Sequence, residues 1–334
     1  MAKDFAWLRP EPWGLFIQPA GVWIDPARAV DRALITHGHA DHARAGHGES
    51  MATPATLAIM RERYGEIGRA VPFAYGERIT LGGGVHATML PAGHVLGSAQ
   101  ILLEHAGERV IVTGDYKRRA DPTCAPFAVT RCDLLITEAT FGLPVFRHPP
   151  IGREIARLLA FRESHPDRAV LVGAYALGKA QRLIAELRLA GYREPIWLHG
   201  AMERMCRLYG EHGVDLGDLR SVAGVPRGAL AGQIVIAPPS ALTDRWSRRL
   251  PDAAPAMASG WMRVRQRVQQ RGVELPLVIS DHADWDELTD TIAEIDPVET
   301  WITHGREEAL LRWCALTQRR ARALALVGFE DDAE

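Results

Sequence analysis

Thr36-His37-Gly38-His39-Ala40-Asp41-His42 is the stretch on which the reading of this chain turns. His37, His39, Asp41 and His42 can all bind a metal. The preceding Arg32-Ala33-Leu34-Ile35-Thr36 predicts a short apolar strand, so the cluster begins where a strand gives way to a loop. In an extended segment His37 and His39 project to one side, because side chains alternate with a period of two. Asp41 and His42 are adjacent, so they point differently and can serve a second centre. Imidazole suits zinc and its neighbours, whereas carboxylate suits harder ions and can bridge two metals. A solvated loop with chance histidines is the plain alternative, but His-x-His-x-Asp-His is far more specific than a lone pair.

Further along, the same texture recurs. The strands Leu15–Ile17 and Val22–Ile24 lead to Asp25. Ala87–Leu90 runs through a turn to His94, and Ala99–Leu103 follows. Arg109–Thr113 ends in Gly114-Asp115, and Asp133–Thr137 ends in Glu138. Each acid or histidine alone would read as a turn former or a cap. Strand ends gathered on one edge of a sheet would instead bring Asp25, His37, His94, Asp115 and Glu138 together. Gly93, Gly97 and Gly114 are expected to let the backbone approach the metals closely. Thr36 and Ser98 read as caps or turn residues, with Ser98 also a candidate substrate contact.

From Ile151 helices alternate with strands: Arg153–Arg162, Ala169–Val172, Gly178–Leu189, Ile196–Leu198, Ala201–Tyr209, Gln233–Ala237 and Ala254–Ser259. That alternation predicts a parallel α/β unit. The ligand-bearing texture returns with the strand Leu277–Ser280, then Asp281-His282-Ala283-Asp284, a helix over Trp285–Ile295 and the strand Thr300–Thr303 before His304. The expected organisation is therefore one domain over 1–150 and 273–334, interrupted by a smaller domain over 151–272.

Composition narrows the partners. The chain has 334 residues, with 39 Lys plus Arg against 41 Asp plus Glu and a net charge of −2. A polyanion site must therefore be a local patch. Lys117-Arg118-Arg119 lies just after Asp115, and Lys117 is the better candidate for a phosphate contact. The alternating Arg263-Val264-Arg265-Gln266-Arg267 is as consistent with a solvated face. No apolar run reaches the ~18 residues of a membrane helix, and the first residues lack the apolar core of a signal peptide. The cysteines Cys124, Cys132, Cys206 and Cys314 are scattered and read as packing residues of a protein in a reducing cytoplasm.

The order Asp25, His37-x-His39-x-Asp41-His42, His94, Asp115 resembles the metallo-β-lactamase fold. Thr137-Glu138-Ala139-Thr140-Phe141, Ser280-Asp281-His282-Ala283-Asp284 and Thr303-His304-Gly305 resemble the additional motifs of the β-CASP nucleases. Ala174-Tyr175-Ala176-Leu177-Gly178-Lys179-Ala180-Gln181 and Ala258-Ser259-Gly260-Trp261-Met262 resemble signatures of their inserted domain. The resemblance runs from about Gly14 to Leu311 and is most like the bacterial ligase-associated DNA exonucleases. It implies an αββα sandwich with an inserted β-CASP α/β domain and two divalent metal ions, zinc first and manganese second. It implies that His37, His39 and His94 hold one metal, that Asp41, His42 and His304 hold the other, and that Asp115 bridges. Asp25 would buttress the cluster, Glu138 would hydrogen-bond His282, and Lys179 would contact substrate. His304 resembles the RNA-processing members, because Artemis-type DNA nucleases tend to carry an apolar residue there.

A phosphodiester is an anion and repels a hydroxide nucleophile. Two metals ~3.5–4 Å apart lower the pKa of a bridging water and neutralise phosphate oxygens. The leaving alkoxide needs a proton, and His282 beside Glu138 is suited to supply it. The expected function is a single-strand DNA exonuclease in DNA repair, with a metal-bridging hydroxide as nucleophile and His282 as general acid. Association with an ATP-dependent DNA ligase and a helicase goes with that expectation. An RNA-processing β-CASP ribonuclease, a small-ester hydrolase and a non-catalytic scaffold subunit are the alternatives.

Overall fold

Every strand of the first unit that bears a candidate ligand is apolar on both faces, which calls for layers above and below the sheets. The structure is a computed structural model that describes residues 5–226, 228–250 and 252–324. In chain order the elements are β1 (Leu8–Glu11), β2 (Gly14–Ile17), β3 (Val22–Ile24), β4 (Arg32–Leu34), β5 (Glu49–Ala52), α1 (Pro54–Tyr64), β6 (Arg69–Pro72), β7 (Arg78–Gly82), β8 (Val85–Pro91), β9 (Ala99–His105), β10 (Glu108–Val112) and β11 (Leu134–Ala139). Then come α2 (Ile151–Glu163), β12 (Val170–Gly173), α3 (Lys179–Leu189), β13 (Ile196–Leu198), α4 (Gly200–Glu211), β14 (Leu219–Ser221), β15 (Ile234–Ala237), β16 (Ala254–Ala258), α5 (Arg265–Arg271) and β17 (Leu275–Leu277). The chain returns through α6 (Trp285–Ile295), β18 (Glu299–Gly305), α7 (Glu307–Leu316) and β19 (Ala321–Ala323).

Two compact units result: the residues up to Arg147 together with those from His282 onward, and His148–Asp281. The first unit holds a six-stranded sheet in the order β1-β2-β3-β4-β5-β6 and a seven-stranded sheet in the order β19-β18-β11-β10-β9-β8-β7. Strand parity assigns the layers. Leu15, Ile17, Leu34, Ile101, Leu103, Val110, Val112, Leu134, Ile136 and Trp301 share the core between the sheets. Their neighbours one residue on, Leu102, Ile111, Leu135 and Ile302, pack against Leu288, Ile292 and Ile295 of α6 and Leu310 of α7. On the far side Ala33, Ile35 and Ala52 pack against Leu57 and Met60 of α1. This is an αββα sandwich. A single buried Leu or Ile contributes roughly 1.5–3 kcal/mol, so a one-residue slip would cost each strand its whole inward row.

Parallel pairing sets where the strands end. β3 pairs parallel with β4, β10 with β11, and β11 with β18. Their carboxyl ends therefore lie on a common edge of each sheet, and those ends carry Asp25, His37, Asp115, Glu138 and His304.

The second unit is a six-stranded, all-parallel sheet in the order β14-β13-β15-β12-β16-β17. β17 pairs with β16, Ala256 opposite Leu275 and Ala258 opposite Leu277. The segment from Leu275 is thus an edge strand of the inserted sheet and not the resumption of the first domain. The break falls at 281/282 rather than 272/273, because Leu275 and Leu277 are buried in the second unit's sheet. The strand expected over Leu277–Ser280 lies over Leu275–Leu277 instead.

Candidate metal centre

Asp25 leaves β3 with a φ of +44° and is almost fully buried. Its Oδ1 accepts from the Thr36 backbone N–H at 2.8 Å. Its Oδ2 accepts from the Thr36 hydroxyl at 2.5 Å and from His42 Nδ1 at 2.8 Å. The carboxylate thereby fixes the His42 tautomer and turns Nε2 toward Asp115, 3.4 Å away. Thr36 also lies 3.1 Å from His37 Nδ1. Thr36 is more than a turn residue: it ties Asp25 to the metal-binding loop.

Three ring nitrogens converge beside it. His39 Nδ1 lies 3.1 Å from His37 Nε2 and 3.0 Å from His94 Nε2. Such spacings approach the edge of a tetrahedron drawn round a cation with bonds of ~2.0–2.1 Å. Asp115 stands at the junction, with Oδ2 3.4 Å from His37 Nε2 and 3.7 Å from His94 Nε2. Its Oδ1 is 3.6 Å from His304 Nδ1. Of three groups able to hold an ion, two, His37/His39/His94/Asp115 and His42/Asp115/His304, are built on imidazoles and share the Asp115 carboxylate, and the third is Asp115/Glu138/His282. Asp41 belongs to neither group; it is partly exposed, its Oδ2 3.5 Å from His42 Nε2.

His304 arrives by a β-bulge. Thr303 pairs with Glu138 and Gly305 with Ala139, so His304 is the extra residue, at a φ of +54°. The bulge re-aims a side chain that regular pairing would have placed elsewhere. Gly305 makes it possible, since a Cβ there would come within 2.2 Å of the Ala139 carbonyl oxygen.

Electrostatics suits cations. Burial, reinforced by the charge of neighbouring histidines, holds His37 well below the usual imidazole range, in the neutral form that ligates. Burial would lower His42 too, but Asp115 and Asp41 outweigh it and hold the ring well above that range. A cation must therefore displace a proton from His42. Burial would raise Asp115, but the facing His42 and His282 and the nearby His304 keep it well below the carboxylate range. Imidazoles around an ionised carboxylate fit two borderline divalent ions.

Glu138, the penultimate residue of β11, is buried. Its Oε1 accepts from the Tyr116 backbone N–H at 2.7 Å, and its Oε2 accepts from His282 Nδ1 at 3.0 Å. His282 Nδ1 also lies 4.0 Å from Asp115 Oδ2. The pair sits against the two ion-binding groups with a tautomer set by Glu138.

The expected substrate contacts fare differently. Lys117 is buried, its Nζ paired at 2.5 Å with the equally buried Asp121. Arg118 pairs with Glu294 and Arg119 with Asp284. The basic triplet is spent on internal ion pairs and on anchoring α6. Ser98 is buried too, its hydroxyl accepting from the backbone N–H groups of His94 and Val95, each at 3.1 Å. It shapes the turn that presents His94. Lys179 lies in the second unit, buried at the start of α3 with its ammonium 4.5 Å from the Tyr175 ring centre. The positive φ values of Gly93, Gly97 and Gly114 serve packing against protein rather than metal. A Cβ would strike the Lys117 carbonyl at 2.2 Å, the Thr56 nitrogen at 2.7 Å and the Thr36 side chain at 2.7 Å respectively. Arg63 escaped the sequence reading: from α1 it donates to the Gly38 carbonyl at 2.7 Å and pins the loop between His37 and His39. No local motif marks such a contact.

Residues 14–173 match the model of the metallo-beta-lactamase superfamily. A probable DNA ligase from Opitutus terrae is 31% identical over 323 residues, 90% of this chain and 31% of that protein. The endoribonuclease ysh1 of Emericella nidulans is 38% identical over 135 residues, 36% of this chain and 15% of its own length. A ribonuclease of Thermus thermophilus is 29% identical over 222 residues, 55% of this chain and 50% of its own length. The matches thus span half or less of each of these relatives. A solved structure of a protein of unknown function from Enterococcus faecalis shares the fold, with a TM-score of 0.54 at 15% identity over 84% of this chain and 76% of that one. The αββα sandwich and the match over residues 14–173 thus identify a metallo-beta-lactamase domain within the chain.

Proposed function

We propose that the chain is a two-metal phosphodiesterase of the β-CASP branch, a nuclease of single-stranded nucleic acid that acts as a DNA exonuclease in repair. The observation that carries this reading is the Asp115 carboxylate shared between two imidazole groups, with the Glu138–His282 pair beside it. On this reading His37, His39 and His94 hold one divalent ion, zinc or manganese, and His42 and His304, with Asp41 at the rim, hold the second. Bound there, the ions supply Lewis-acid neutralisation of phosphate charge and make water a usable nucleophile near neutral pH. Asp25 keeps His42 in its ligating tautomer. Glu138 holds the Nδ1 proton of His282, which leaves Nε2 to pass a proton to the leaving oxygen. The unit His148–Asp281 is the β-CASP insert.

The likeness over 90% of the chain to part of a probable DNA ligase supports work beside an ATP-dependent DNA ligase and a helicase. Among the described residues no helix is long and apolar enough to cross a membrane. The scattered placement of the four cysteines suits a reducing cytoplasm. A second reading, RNA processing, is favoured by relatives named endoribonuclease and ribonuclease and by His304.

The test uses end-labelled single strands of one sequence, as DNA and as RNA, with zinc- or manganese-loaded protein and an Asp115→Ala control. Laddering of DNA from one end, lost in the control, is the expected result. Cleavage of RNA alone assigns the chain to RNA processing, and cleavage of neither by protein with two metals bound defeats both readings.

A further inference from the structure

Trp13 and Arg28 form an exposed pair on the edge where the metal-binding residues gather. Trp13 is 39% exposed, unusual for an indole, and occupies the β1–β2 turn. Register places that turn: Leu15 at the start of β2 pairs with Ile24 at the end of β3, one residue before Asp25. The turn is fastened to the segment following Asp25, because the Ala27 backbone N–H donates to the Trp13 carbonyl at 2.8 Å. The close fit of Gly14 holds it there, since a Cβ would meet the Ile24 oxygen at 2.9 Å and the Pro26 Cα at 3.3 Å. The Arg28 guanidinium lies 5.1 Å from the Trp13 ring centre. Arg28 is exposed, and among the described residues no carboxylate is paired with it. That contrasts with Lys117, Arg118 and Arg119, whose charges are consumed by Asp121, Glu294 and Asp284.

A flat apolar ring with a cation against it, held rigidly by backbone on the edge that carries the ligands, matches one nucleotide unit of a polynucleotide. Bases stack on an aromatic face whatever their identity, and a neighbouring guanidinium takes a phosphate. We propose that Trp13 and Arg28 are a strand-binding platform that seats a nucleobase and a backbone phosphate of single-stranded nucleic acid next to the metal centre. The proposal rests on the nuclease reading and supplies it with the exposed cation that the buried Lys117 does not provide.

The test measures binding of short fluorescent single strands, DNA and RNA, by anisotropy over a salt series, in metal-loaded protein slowed by His282→Ala. Trp13→Ala is expected to weaken binding about ten-fold, a value typical of one lost base stack, and Trp13→Phe to restore most of it. Arg28→Gln is expected to reduce the slope of log affinity against log salt by about one. Metal content and melting temperature report the fold of each variant. Weakening by Trp13→Ala that Trp13→Phe does not repair marks a folding role and overturns the platform. So does unchanged affinity in Trp13→Ala beside a parent that binds and cleaves, which leaves the nuclease reading intact. A parent with two metals that neither binds nor cleaves any strand defeats the nuclease reading and the platform with it.

Discussion

At the residue scale, neighbouring polar side chains divide into those that face the ions and those that hold others in place. His282 and Glu138 can be separated from the ligands by leaving group. His282→Ala is expected to lower hydrolysis of a natural phosphodiester by roughly 10²–10⁴-fold, the usual contribution of a positioned acid, with metal content unchanged. A nitrophenyl phosphodiester, whose leaving oxygen needs no proton, should be hydrolysed nearly as fast as by the parent. Equal losses on both substrates, with metal lost, would make His282 a ligand instead, as its place in a third group with Asp115 and Glu138 permits. Lys117 carries a different expectation. Lys117→Met leaves the Asp121 carboxylate buried without its cation and should cost ~3–5 kcal/mol in urea denaturation. The salt dependence of nucleic-acid binding should not change; a slope reduced by about one would mean that Lys117 meets phosphate after all.

At the element scale, strand ends and one bulge do the positioning. The helix α6 is capped by Asp284, whose side chain accepts the Glu287 backbone N–H at 3.1 Å while the Glu287 carboxylate accepts the Asp284 N–H at 3.1 Å. Glu287 also accepts the backbone N–H groups of Arg118 and Arg119, at 2.8 and 2.7 Å. One helix start thus anchors the segment after Asp115 and sits two residues beyond His282. The bulge at His304 is the more fragile device. Gly305→Ala places a Cβ against the Ala139 carbonyl at a φ of +122°, so it should lose at least the ~1–3 kcal/mol of a strained backbone position. Because the shift falls on His304, the variant should also hold about one metal where the parent holds two. Full stoichiometry with unaltered stability would show that His304 reaches Asp115 without the bulge.

At the scale of the whole molecule, the ligands of both proposed ions come from the first unit alone, from segments as far apart in sequence as His37 and His304. Metal binding is then linked to the folding of that unit. A ligand at a thousand times its dissociation constant adds about 4 kcal/mol to the state that binds it. Calorimetry of the metal-loaded chain before and after chelation should show one transition moving down by several degrees while the transition of the inserted α/β unit stays in place. A chelator that shifts neither would mean that the imidazole groups are held together by the fold without ions.

Much of this was legible in the chain. His-x-His-x-Asp-His and the acids at strand ends need only a local period of two to be read, and α6 spans the Trp285–Ile295 expected for it. The layer assignment of each strand follows from the same alternation. What the sequence alone could not decide is everything that depends on partners distant in the chain. Lys117 follows a ligand by two residues and resembles a phosphate contact, but Asp121 and a dry environment claim its charge. The segment from residue 273 reads as the return of the first domain, with a strand over Leu277–Ser280, yet the pairing of Leu275–Leu277 with β16 assigns it to the second. Trp13 has no motif at all, and only the register of β2 on β3 brings it to the edge of the site. Chemistry-bearing residue types are local properties, whereas burial, pairing and the fate of a charge are set by contacts that form only when distant segments pack.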